Sequence, residues 1–140
     1  MTVEIAQTRD ITTCRALRRT VFIEEQHVPE ADEIDDLDDV ALHVLATYAG
    51  RPVGSARIIL LDETAKIGRV CVLQDQRGTG LGAALIRASL DIARQQQGVT
   101  RAKLGAQEYA IPFYEKLGFT VFGPVYLDAG IRHRDMELAL

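Results

Sequence analysis

The chain has 140 residues, 47% of them apolar, and its 20 acidic residues outnumber its 16 basic ones to give a net charge of −4. That is enough apolar material for one good core with no second composition block, so one domain over residues 1–140 is expected. The scattered bases among more numerous acids exclude a nucleic-acid binder that works by neutralising phosphates. The runs ALHVLA and RIILL are far too short to cross a bilayer, and MTVEIAQTRD has no basic flank leading into an apolar stretch, so no membrane partner and a cytoplasmic location are expected.

Val3 and Ile5 alternate with polar residues as in a short first strand, and Asp10 or Thr12 then offers an N-cap. Ile11, Cys14, Leu17, Val21 and Phe22 recur at helical spacing and predict a first helix from about Ile11 to Gln26. Pro29 breaks that pattern, and the acidic series from Glu30 to Asp39 reads as a loop with one helical turn at most. A charge run of this kind is ordinarily a solvated surface loop. Its field could alternatively draw in a polyamine, an aminoglycoside or a lysine-bearing substrate.

ALHVLATY, VGSARIILL and KIGRVCVL follow, joined at AGRP and DET, and three strands on short turns predict an antiparallel meander. From Leu81 to Gln97 the residues Leu81, Leu85, Ala88 and Ile92 share a helical face that Ile86, Leu90 and Ala93 widen, with Gly98 placed to end the helix. A strand is expected at Arg101 to Gln107. IPFYEKLGF then gives a short helix with Pro112 in its first turn and Gly118 at its C-terminal cap. FTVFGPVYL and DMELAL alternate like a closing pair of strands, and Met136 to Leu140 would face either the core or a partner subunit, which leaves a homodimer open. The element order implies an α/β (α+β) fold, a mixed sheet with helices on its faces.

Cys14 and Cys71 have neither a CxxC spacing nor the density of a disulfide scaffold, so both are read as core thiols. No metal is expected, since neither the His nor the Cys spacing forms a ligand pair. Counted from Asp32, the acidic loop lacks the Gly at its sixth place and the Glu at its twelfth that a calcium loop needs.

QRGTGLG, Gln76 to Gly82, stands between an apolar strand and a helix. The first turn of a helix has unpaired N–H groups and partial positive charge, and glycine lets a ligand approach without meeting a Cβ, so a phosphate-bearing ligand is expected there. Gly82 is followed by Ala83 and Ala84 rather than Lys and Ser or Thr, which excludes a Walker loop. Gly78, Gly80 and Ala83 satisfy the dinucleotide fingerprint formally, but the strand after the helix ends in Gln107 rather than an acid. The remaining form is R-x-x-G-x-G, met by Arg77, Gly80 and Gly82.

At this point the chain resembles the GNAT (Gcn5-related) N-acetyltransferases, and the element order matches that fold over nearly its whole length. That family follows its next strand with Asn, then Ala, then Tyr-Glu-Lys-x-Gly-Phe, and Gln107, Ala110 and FYEKLGF occupy those places here. The resemblance implies a mixed, mostly antiparallel twisted sheet flanked by helices. It implies acetyl-CoA as cosubstrate, its pyrophosphate on the N–H groups of Arg77, Gly78, Thr79, Gly80, Leu81 and Gly82. The pantetheine would lie along VCVL, in a gap between that strand and the one at Arg101 to Gln107, and would pair with backbone near Cys71 and Val72. Gln107, which stands where the family has Asn, would by the same resemblance contact the cofactor. VFIEEQHVP and DAGIRHRDMEL are similar to a small bacterial ElaA-like subgroup, in which a His recurs near the C-terminus, matched by His133.

Acetyl transfer to an amine needs a bound thioester, a neutral amine, a polarised carbonyl and a proton for the leaving thiolate. Tyr114, four residues after Ala110, stands where the family places its acid, and a phenol with a pKa near ~10 is protonated at neutral pH. The base stays open among His43, His133, Glu24 and Glu25; Glu25 and His43 are taken as catalytic, Glu24 and His133 as touching the amine. Arg57 and Arg69 serve the cofactor or the substrate, or else form surface ion pairs. The expected activity is acetyl transfer from acetyl-CoA to a primary amine of a small molecule or peptide, in a ternary complex. The alternatives are a longer acyl-CoA or a noncatalytic CoA-sensing module.

Overall fold

The three apolar runs between residues 41 and 73 form the antiparallel meander that their turns predict. In the computed structural model, which describes residues 2–140, β2 (Leu42–Tyr48), β3 (Arg51–Leu61) and β4 (Thr64–Val72) pair in sequence order, and β1 (Val3–Thr8) adds antiparallel to β2. β5 (Arg101–Gln107) joins β4 in parallel, and β7 (Ile131–Ala139) and β6 (Thr120–Asp128) complete a seven-stranded sheet of order β1-β2-β3-β4-β5-β7-β6. It is a mixed sheet with one parallel junction.

Strand alternation assigns each face a helix. Val44 and Ala46 point into the core built with α3 (Leu81–Arg94), where Leu81, Leu85, Ile86 and Leu90 are buried. Each of those side chains contributes about 1.5–3 kcal/mol by leaving water. The intervening Leu45 packs on the other face with Leu17, Val21 and Cys71 beneath α1 (Ile11–Arg18). Met136 is fully buried among Ile67, Leu104 and Phe119, so the closing strand faces the core at that position.

Two local features differ from the sequence reading. The first helix is α-helical only to Arg18; Arg19–Glu25 is a π-helical turn, in which Gln26 N donates to Val21 O. The wider turn keeps Val21 in the core while swinging Phe22 and Gln26 toward the β4–β5 side. α3 ends at Arg94 rather than Gln97, because Gln95 and Gln96 tighten into three-residue turns onto Ile92 and Ala93.

The acidic segment is the larger correction. Its residues Glu33 and Asp38 are buried, and α2 (Glu30–Glu33) with the loop after it is clamped to the sheet by arginines. Arg18 donates to Glu33 at 2.6 Å and to Asp38 at 2.8 Å, Arg15 to Asp38 at 2.8 Å, and Arg57 to both carboxylate oxygens of Asp35 at 2.8 and 2.9 Å. Arg57 is therefore part of a buried network, not a surface pair. Among the described residues no helix is long and apolar enough to span a membrane.

Candidate functional site

The parallel junction shapes the site. β4 and β5 pair only at Thr64, Ala65 and Lys66 against Arg101, Ala102 and Lys103. Past that point β4 carries a bulge: Arg69 and Val70 oppose Ala56 alone, and Arg69 has φ +51°. A bulge bends its strand and re-aims side chains. Beyond Lys66 the two strands separate, while β5 stays paired with β7 to its end.

The gap is a cavity of about 320 Å³. Val70 on β4 and Leu104 and Gln107 on β5 form its walls, Phe22 and Gln26 of the π-helical turn lie on one side, and Tyr114, Tyr126 and His133 close the other. Tyr114 sits on α4 (Ile111–Lys116), which Pro112 starts. Its ring meets Phe113 and Phe119 edge-on, at centroid distances of 5.0 and 6.1 Å. Burial pushes its phenol above the ordinary value, so it stays protonated at neutral pH.

The glycine turn lies next to α4. Gly78 and Gly80 have φ +76° and +87°, conformations that favour glycine, and a Cβ on either would meet no protein atom within 4 Å. Gly80 caps α3, no side chain caps it, and the first amide to bond back is Ala84 N to Gly80 O. The amides of Leu81, Gly82 and Ala83 are thus free for an anion, beside an open face. Thr79 turns its hydroxyl back to Gln76 O at 2.6 Å. Phe113 approaches to 3.7 Å from where a Cβ on Gly82 would stand, so α4 adjoins the anion cradle while delivering Tyr114 to the cavity.

The other sequence candidates fall in different places. Arg77 bends back along β4: its Nε and Nη2 donate to Val72 O at 3.1 and 3.0 Å, and its guanidinium forms a two-bond ion pair with Glu25. That pair holds the Glu25 carboxyl below its usual range. Glu25 is thus brought to the cradle side and does not line the cavity, and neither does the exposed Glu24. His43 is corrected more sharply. It is 3% exposed, its Nε2 donates to Asp38 O at 2.8 Å, its Nδ1 is sealed without a partner, and it does not line the cavity.

Cys71 turns its side chain to the α1 face, 3% exposed, and burial pushes its thiol up to about 12, which leaves no thiolate for an acyl-enzyme. Arg69 leans over the cavity edge and donates to Glu33 O at 3.1 Å and Asp35 Oδ2 at 3.3 Å, tying the acidic segment to the bulge. Tyr126 and Asp135 were missed in the sequence. Their hydrogen bond and the stacking of Tyr126 on His133 depend on the β6–β7 register, which no local pattern reports. Among the described residues no group of three or more His, Cys, Asp or Glu side chains is arranged to hold a metal.

Three kinds of comparison agree on the kinship of the chain. A family model described as "Acetyltransferase (GNAT) domain" matches residues 9–140. An uncharacterized N-acetyltransferase of Bacillus subtilis, YjcF, is 38% identical over 121 residues, 86% of each chain. Protein ElaA of Escherichia coli is 35% identical over 124 residues, 86% of this chain and 81% of its own, and its crystal structure superposes with a TM-score of 0.87 over 98% of this chain and 99% of that one. An acyl-CoA N-acyltransferase from Pseudomonas aeruginosa superposes with a TM-score of 0.90 at 28% identity, over 99% of this chain and 100% of its own.

Proposed function

The chain belongs to the GNAT acetyltransferase family, and from that premise we propose that it transfers the acetyl group of acetyl-CoA to a primary amine of a small molecule or peptide, by direct attack within a ternary complex. The observation that carries this reading is the release of β4 from β5 after three residue pairs. It leaves the β5-facing edge of β4 without a strand partner from Ile67 to Val72, where an extended chain bearing amides can pair with main-chain groups other than the Val72 carbonyl, which Arg77 engages.

At one end of that edge, the free amides of α3 and the open turn at Gly78 and Gly80 suit a pyrophosphate. Toward the cavity the edge leads to the thioester position, between Gln107 and Tyr114. In the reaction the amine lone pair attacks the thioester carbonyl carbon, the C–N bond forms and the C–S bond breaks. The Tyr114 phenol gives its proton to the departing thiolate. The buried, protonated thiol of Cys71 favours direct attack over a covalent intermediate.

Calorimetric titration with acetyl-CoA, CoA and NAD tests the reading, followed by thiol release over a panel of amines. Both CoA species should bind and NAD should not. Binding of NAD without acetyl-CoA, or acetyl-CoA binding without acetylation of any amine, would overturn it.

A further inference from the structure

An amine enters as ammonium at neutral pH, and the acceptor of its proton must line the cavity and hold a free lone pair. Glu25 is engaged by Arg77, and His43 is sealed against the Asp38 carbonyl. His133 meets both conditions. It lines the cavity, is 9% exposed, and stands opposite Gln107 in the β5–β7 register.

Its tautomer follows from one contact. Nδ1 is 2.8 Å from the Ile131 carbonyl oxygen, and a carbonyl can only accept, so Nδ1 carries the hydrogen. In the neutral ring Nε2 then has the lone pair. No hydrogen bond among the described residues engages Nε2. Among the described residues the sealed, unpartnered side-chain atoms are His43 Nδ1, Arg57 Nε and Arg69 Nε, so Nε2 is not sealed, on a ring that lines the cavity.

The ring is also held in place. Tyr126 stacks on it at a centroid distance of 5.8 Å and an interplanar angle of 26°, and the Tyr126 hydroxyl donates to Asp135 Oδ1 at 2.9 Å. Gly105 makes room for this, since a Cβ there would collide with the Tyr126 hydroxyl. The Asp135 carboxylate is spent on Tyr126 and, at 3.7 Å, on Lys103, not on the imidazole.

We infer that His133 is the general base of the acetyl transfer, taking the first ammonium proton on Nε2 while Nδ1–H stays on the Ile131 carbonyl. The inference rests on the N-acetyltransferase reading. The freed amine attacks the thioester carbon, and thiolate leaves with the Tyr114 proton. The second amine proton, acidic once the C–N bond has formed, restores the Tyr114 hydroxyl. The imidazolium returns its proton to solvent. Ammonium and acetyl-CoA thus give amide, CoA thiol and one proton.

Two measurements test this. Nitrogen NMR of the neutral histidine rings should show the hydrogen of His133 on Nδ1; finding it on Nε2 would overturn the assignment whatever the activity. With an amine that the wild-type protein acetylates, His133→Ala should lower kcat roughly 10²-fold or more, keep acetyl-CoA affinity within about twofold, and recover turnover with added imidazole. A variant with wild-type kcat, or a loss that imidazole does not reverse, would refute the base. A wild-type protein that binds acetyl-CoA but acetylates no amine would instead refute the acetyltransferase reading, with the ring still judged by NMR.

Discussion

Gly80→Val separates the role of the glycine turn in binding from its role in folding. Gly80 has φ +87° and no protein atom within 4 Å of a Cβ position, so valine's cost to the fold is that of a side chain in the left-handed region, about 1–2 kcal/mol or somewhat more for a branched residue. Gly98 supplies a matched control: its φ is +79°, it too has nothing within 4 Å, and it lies past the far end of α3. Gly98→Val should therefore lower the unfolding midpoint about as much. The effects on ligand should diverge. A branched side chain at Gly80 occupies the space over the free amides of Leu81 and Gly82, and losing one or two charge-assisted hydrogen bonds costs about 1.5–3 kcal/mol each. Acetyl-CoA should thus bind roughly 10²-fold more weakly to Gly80→Val and unchanged to Gly98→Val, by calorimetry. Equal affinity in both variants would refute the placement of the pyrophosphate on this turn.

Tyr114→Phe should lower kcat by roughly 10²-fold or more while acetyl-CoA affinity holds; turnover within twofold of wild type would remove the phenol from the reaction. Asp38→Ala should destabilise the fold by about 3–5 kcal/mol, because it strands the buried Arg18 and Arg57 without their shared carboxylate. A urea titration giving a loss under about 1 kcal/mol would mean that water or Glu33 replaces it. The same group sets an acid limit. Burial alone would raise the Asp38 carboxyl, but bonds from Arg18, Arg15 and Arg57 outweigh it and hold it far below its ordinary value, and Arg57 likewise lowers Asp35. A carboxyl depressed in the folded state contributes stability that is present above its unfolded value of about 3.9 and lost as pH falls through the folded one. The stability gap between wild type and Asp38→Asn should thus hold from pH 7 to about pH 5 and narrow below about pH 4; a constant gap would refute the coupling.

The strand and helix order was readable because each element announces itself within a few residues. The meander has its turns, α3 its apolar stripe, and α4 its Pro112 and Gly118. The glycine turn was readable for the same reason, since φ and the absence of a Cβ are local properties. The π-helical turn at Arg19–Glu25 was not, because Ile11, Cys14, Leu17 and Val21 keep the same spacing whether the chain goes on as α-helix or widens after Arg18. The acidic segment was misread because its partners are distant in sequence. Arg18 reaches Glu33 and Asp38 from 15 and 20 residues away, and Arg69 reaches Asp35 from 34. A charge run is solvated unless opposite charges fold onto it, and that is decided by topology.

The same distinction sorts the site. Residue types suited to acid–base work were visible wherever a histidine, tyrosine or glutamate fell near a motif, but pairing in the fold gives each a different use. Arg77 and Glu25 stand 52 residues apart and tie the cradle side of β4 to the end of the π-helical turn. His43 and His133 are one residue type with opposite accessibility: a main-chain carbonyl holds one ring nitrogen of each, but the second nitrogen is sealed in His43 and open in His133. That difference comes from strand position. β2 lies between β1 and β3 beneath the arginine network, whereas β7 pairs with β5, the strand that borders the gap, and its His133 lines the cavity. Chemistry at this site is therefore set less by which titratable residues the chain carries than by the three-residue length of one parallel junction, which decides which of them face a cavity.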